Sequence, residues 1–93
     1  MERAWEVARS AADILREEFQ VTKVVAFGSM THDDLFHQHS DVDLAVWDLD
    51  DKMYFRAVGR LQSIDSMIDV DLIPYIDAKP ALQDVIQREG VII

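Results

Sequence analysis

Val24-Val25-Ala26-Phe27-Gly28-Ser29, then Ser40-Asp41-Val42-Asp43-Leu44-Ala45-Val46, then Ile68-Asp69-Val70-Asp71-Leu72-Ile73 are the segments that decide how this chain folds. The first is rich in β-branched residues and ends in glycine, so it reads as a strand over Val21–Phe27 stopped by Gly28. In the second, Val42, Leu44 and Val46 alternate with other residues, which predicts a strand over Asp41–Trp47 with one apolar face. The third alternates in the same way and predicts a strand over Ile68–Ile73, ended by Pro74.

Outward from these strands the pattern changes period. Trp5, Ala8, Ala12, Leu15 and Phe19 recur at spacings of three and four, so residues 2–19 read as an amphipathic helix. Ser29 to about Phe36 is read as a short helix, and His37-Gln38-His39-Ser40 as a loop. Asp48 to Asp51 form a turn in which Asp50 caps a helix running from about Lys52 to Ser66, with Tyr54, Val58 and Leu61 on its buried stripe. Pro80 opens a last helix to about Arg88. Gly90 stops it, and Val91-Ile92-Ile93 add a short extended piece. Trp5, Trp47 and Phe55 are read as core residues, with a place at an interface open to any one of them. The order α-β-α-β-α-β-α predicts a small α/β (α+β) domain, a mixed sheet flanked by helices. Strand order and direction stay open.

Ninety-three residues suit a single domain, 1–93. A domain of this size buries roughly 60–65% of its unfolded surface, so a partner subunit would add useful stability. No apolar run approaches the ~20 residues that span a bilayer. Charges in Met1-Glu2-Arg3-Ala4-Trp5-Glu6 stand where a signal peptide has its apolar core, and a cytoplasmic protein is expected. The absence of cysteine excludes disulfides and thiolate metal sites. Nine Lys and Arg against 18 Asp and Glu give a net charge of −9. Such a surface repels nucleic acid, so direct nucleic-acid binding is not expected; it suits cations or a basic protein partner.

Candidate chemistry begins at Gly28-Ser29. Glycine lets the backbone approach a bulky anion, amides at a following helix start carry partial positive charge, and the Ser29 hydroxyl adds a donor. An ordinary strand-ending turn would read the same way. Asp41 and Asp43 lie two apart in a strand, on one face and about 6.6 Å apart along the chain. Their repulsion is relieved by water on a solvated outer face or by a hard divalent cation with oxygen ligands. Asp69 and Asp71 again share a face. If the two acidic strands are neighbours, three or four carboxylates converge, the arrangement used for two-metal nucleotidyl transfer. His32, His37 and His39 lie close in sequence, but without cysteines or a helical spacing they read as solvated loop residues before they read as zinc ligands.

Taken together, these segments resemble the polymerase-β-type nucleotidyltransferase superfamily, and within it the minimal nucleotidyltransferases of prokaryotes. Ile86-Gln87-Arg88-Glu89-Gly90-Val91-Ile92 also looks like that family, and the resemblance covers nearly the whole chain. It implies that Gly28 and Ser29 contact the triphosphate of ATP, and that Asp41, Asp43 and Asp71 bind two Mg²⁺ ions and carry catalysis. Asp71 matches the third carboxylate because it follows Val70 and precedes Leu72-Ile73; Asp69 ranks second. The stretch from Met30 to Ser40 departs from the family. It is one residue longer than the commonest spacing, and Met30 and Thr31, followed by acidic Asp33 and Asp34, stand where small and basic residues are common. That implies a weaker phosphate grip, or basic groups supplied by a partner.

Stand-alone proteins of this type are often antitoxins paired with a HEPN-domain RNase toxin. The resemblance therefore implies transfer of AMP from ATP to a tyrosine of such a toxin. Two other readings stay open: neutralisation of the toxin by contact alone, and a small-molecule nucleotidyltransferase, which usually carries a further acceptor domain.

Overall fold

The structure, a computed structural model, describes residues 2–28 and 41–93. The short helix expected after Gly28 and the histidine-containing loop fall outside the described residues, as does Ser29. Helix α1 (Glu2–Phe19) is followed by strands β1 (Lys23–Phe27) and β2 (Val42–Trp47). A single 3-10 turn, Asp51–Met53, leads into helix α2 (Tyr54–Gln62). Strand β3 (Val70–Pro74), a second 3-10 turn (Tyr75–Asp77), helix α3 (Pro80–Glu89) and the two-residue strand β4 (Val91–Ile92) complete the fold. The mixed sheet with flanking helices agrees with the expected class.

Among the described residues the sheet has four strands, in the order β3-β2-β1-β4. β1 runs antiparallel to both β2 and β4, whereas β2 and β3 are parallel. A parallel pair needs a crossover, and α2 supplies it. Val24, Ala26, Val42, Leu44, Val46, Val70 and Leu72 turn to one face and pack with α1 and α2. Ala4, Ala8, Ala11 and Ala12 are fully or almost fully buried there, and their small side chains let α1 lie close on the sheet. The opposite face buries Val25, Phe27 and Ala45 against Ile86 of α3. On that side Trp47 stacks on Tyr75 at 4.6 Å between ring centroids, and the Lys23 ammonium lies over Trp47. Among the described residues no helix is long and apolar enough to cross a membrane.

Several boundaries differ from the sequence reading: β1 starts at Lys23 rather than Val21 and β2 at Val42 rather than Asp41. The second helix starts from a 3-10 turn capped by Asp50, whose side chain accepts from the Lys52 amide at 3.0 Å, and it stops at Gln62 rather than Ser66. β3 begins at Val70: the Ile68 amide donates to the Asp65 carbonyl to close a turn, and Asp69 links that turn to the strand. It also keeps Pro74, whose missing N–H is tolerated on an edge strand. Phe55, assigned to the core, is 85% exposed. It lies one position off the inward stripe of α2, whose buried members are Ala57 and Leu61. Trp5 and Trp47 are half-buried.

Candidate active site

The sheet register brings the acidic residues together. Asp43 and Asp71 are direct partners in the parallel β2–β3 ladder, flanked by the pairs Val42–Val70 and Leu44–Leu72. Because side chains alternate along a strand, both carboxylates leave the same face as Ala45 and Ile73. Asp71 is exposed and Asp43 half-buried. Asp41 stands one residue before β2 and is exposed. Asp69 stands one residue before β3, and its backbone carbonyl accepts the Val42 amide at 2.8 Å.

β1 delivers Gly28 to the same spot. Phe27 pairs with Asp43, so the next residue passes directly over the Asp43 carboxylate. A Cβ at position 28 would fall 2.3 Å from Asp43 Oδ2, and the backbone there has φ +83°. The positive φ favours glycine, because that region is open to few L-residues, and a Cβ would also push the Asp43 carboxylate aside. The sequence motivated Gly28 by approach to an anion; the structure adds close approach to its own carboxylate.

Crowding changes the chemistry of Asp43. Burial, a hydrogen bond with Asp71, and the charges of Asp71 and Asp41 together push its carboxyl up to about 6. One proton shared between two facing carboxyls is the ion-free way to relieve that repulsion. A hard divalent cation with oxygen ligands relieves it by another route, and this donor set, carboxylate oxygens only, fits Mg²⁺. The fit is partial. Among the described residues no group of three or more His, Asp or Glu already stands in metal-holding geometry. Asp43 and Asp71 are brought together, and Asp41 acts on Asp43 through its charge.

Two side chains that sequence reasoning did not assign to the site hold β3 in place. The Tyr54 hydroxyl donates to the Leu72 carbonyl at 3.0 Å. The Gln62 side-chain amide donates to the Val70 carbonyl and accepts the Val70 N–H. These bonds bracket Asp71 along the outer edge of β3, which no further strand covers among the described residues. Tyr54 was legible only as a member of a buried helix stripe, and nothing in the sequence marks Gln62.

The fold recurs in solved structures. A chain of a toxin–antitoxin structure with AMP-PNP is 25% identical, with TM-score 0.74 over 91% of this chain and 70% of that one. A chain of the tri-AMPylated Shewanella oneidensis HEPN toxin in complex with MNT antitoxin is 22% identical, with TM-score 0.70 over 96% and 70%. A structure assigned as a minimal nucleotidyltransferase is 19% identical, with TM-score 0.74 over 97% and 92%. No curated protein shows significant similarity to the chain. The family described as "Polymerase beta, Nucleotidyltransferase" matches residues 10–93, from within α1 through β4 and so across every strand that builds the carboxylate site, and the chain belongs to that family.

Proposed function

We propose that the chain is an antitoxin-type protein adenylyltransferase, moving AMP from ATP to a tyrosine of a HEPN-domain RNase toxin. The observation that carries the reading is the Asp43–Asp71 pair lying under Gly28, in a chain of this family. Support for the nucleotide comes from the similar chain with AMP-PNP, and support for the partner from the similar chain in complex with a tri-AMPylated HEPN toxin.

Gly28 and Ser29 receive the triphosphate, and Asp41, Asp43 and Asp71 hold two Mg²⁺ ions. Bound ions supply positive charge that offsets both the carboxylates and the developing charge on the triphosphate. The tyrosine oxygen attacks the α-phosphorus. A bond forms between them, the bond from that phosphorus to the α–β bridging oxygen breaks, and pyrophosphate leaves. Asp71, the exposed member of the pair, accepts the hydroxyl proton. Without bound ions the Asp43 carboxyl is held up to about 6, so Mg²⁺ competes with its proton and is expected to bind more tightly as pH rises.

Toxin incubated with this protein, ATP and Mg²⁺ gains the mass of one or more AMP groups, and the Asp41→Asn/Asp43→Asn variant adds none. Unchanged toxin mass with the wild-type protein refutes the enzyme. Contact without transfer is the second reading. It is favoured by one observation: the three carboxylates do not form a ready-made ligand set among the described residues. Tight toxin binding with unchanged mass would establish it.

A further inference from the structure

At the far end of β2 and β3 from the carboxylates, the surface changes character. Two adjoining clefts of about 250 and 340 Å³ share Leu49, Asp51 and Pro74 in their walls. Tyr54 and Asp77 complete the first, and Ile76 lines the second. Ile76 is 85% exposed, and Phe55, equally exposed, stands edge-on to Tyr54 at 5.3 Å. Two large apolar side chains thus stand out from an apolar cleft. Ile76 in the wall of one cleft and Phe55 against Tyr54 in the wall of the other form an exposed apolar patch of the kind that marks an interaction surface. Its rim is acidic. Asp48, Asp51 and Asp77 stand in the cleft walls and are all exposed, and the Lys23 ammonium over Trp47 is the opposing charge beside the second cleft.

We propose that this cleft is the docking surface for the protein partner, and that it takes a basic segment of the partner carrying one or two large apolar side chains. The inference rests on the toxin reading above and adds the surface that reading lacks. Charge selects the occupant. The rim carries more carboxylates than lysines, on a chain of net charge −9, so a second copy of the same acidic chain is repelled where a basic segment is drawn in. Position also fits. From Asp43 to Trp47 is four residues of strand, roughly 13 Å at about 3.3 Å per residue. A partner seated at this end leaves the carboxylates and Gly28 open to nucleotide, and its acceptor reaches the site from a separate segment.

The test uses the full chain, purified HEPN toxin and binding measured by titration calorimetry, with toxin mass read in parallel. Phe55→Glu/Ile76→Glu weakens toxin binding roughly tenfold or more, as expected for exposed anchors at an interface centre, while its melting temperature and ATP binding match the wild type. Asp51→Asn/Asp77→Asn weakens binding at low salt, and the difference shrinks as salt rises. Wild-type binding with full affinity in Phe55→Glu/Ile76→Glu overturns the surface and leaves the toxin reading standing. No binding and no mass gain with the wild-type chain overturns the toxin reading instead. Self-association of the wild-type chain that the same double variant abolishes assigns the cleft to a second copy, and overturns the proposal.

Discussion

Replacing Asp43 by asparagine should make the protein more stable above neutral pH while it disables the site. The carboxyl of Asp43 is raised from its usual 3.8 to about 6 by burial first, then by the hydrogen bond with Asp71 and the charges of Asp71 and Asp41. The folded chain therefore binds this proton more tightly than the unfolded chain does. The associated stability is fully present below the unfolded value of 3.8 and is lost as pH rises through about 6. At about 1.36 kcal/mol per pH unit, that interval corresponds to about 3 kcal/mol. Asp43 is only half-buried, so water and salt screen the repulsion, and a loss of about 1–2 kcal/mol is the reasoned magnitude. An asparagine amide can donate to Asp71 where the protonated carboxyl did, so Asp43→Asn keeps the hydrogen bond and carries no charge at any pH.

The assay is urea unfolding of both proteins in EDTA from pH 4 to pH 8, read as the difference between them. The difference cancels the other titrating groups. It should be near zero at pH 4, open between pH 4 and pH 6, and reach about 1–2 kcal/mol in favour of Asp43→Asn at pH 8, roughly 5–10 °C in melting temperature for a domain this small. Mg²⁺ should then raise wild-type stability at pH 8 and close the gap, because an ion that binds only the folded state stabilises it. A gap that does not change with pH, or a variant less stable than wild type at pH 8, refutes the reasoning.

Three other substitutions test the frame around the pair. Gly28→Ala forces a Cβ to 2.3 Å from Asp43 Oδ2 at a positive φ; a loss of about 1–3 kcal/mol in chemical denaturation is expected, with AMP transfer lost as Asp43 is displaced. Gln62→Ala leaves the Val70 N–H and carbonyl without their side-chain partner; about 1–2 kcal/mol of stability should go, and hydrogen exchange at the Val70 amide should quicken more than at Val24. Asp65 is held below its usual value by the Met67 amide and then by the Arg3 guanidinium. Its contribution is present above the unfolded value and is lost as pH falls through the lowered one, so Asp65→Asn should destabilise at pH 7 and lose that effect toward pH 3 in thermal melts.

What could be read from the sequence, and what could not, follows from whether a property is local. Alternation is local, so the acidic strands, their apolar faces and the class of the fold were legible from Val42, Leu44 and Val46 and from Val70 and Leu72. The choice between Asp69 and Asp71 was not, because both share one face by alternation. The family resemblance ranks Asp71 first, and the ladder supplies the geometry that alternation lacks: Asp71 lies within it as the partner of Asp43, and Asp69 lies before it begins. That register depends on how far α2 carries the chain before it returns, and helix length is set by where capping and packing stop it. The residue reading ran α2 to Ser66, but the helix ends at Gln62, whose side chain turns back to hold Val70. The third carboxylate is therefore fixed by an event in a neighbouring helix that periodicity does not encode.

Phe55 shows the opposite case, a signal that was present and misread. It was assigned to the core for its hydrophobicity, yet Tyr54, Ala57, Val58 and Leu61 already define the inward stripe at spacings of one, three and four. A residue one step after Tyr54 is turned about 100° away from it. With the stripe filled by its neighbours, Phe55 could only point outward. An aromatic ring held off the stripe costs solubility and adds nothing to the core, so the economical explanation is a surface that something else covers. Helical phase, rather than apolarity, separates a core residue from a contact residue here. By that criterion the docking surface beside Tyr54 was as legible as the strands, and the carboxylate register was not.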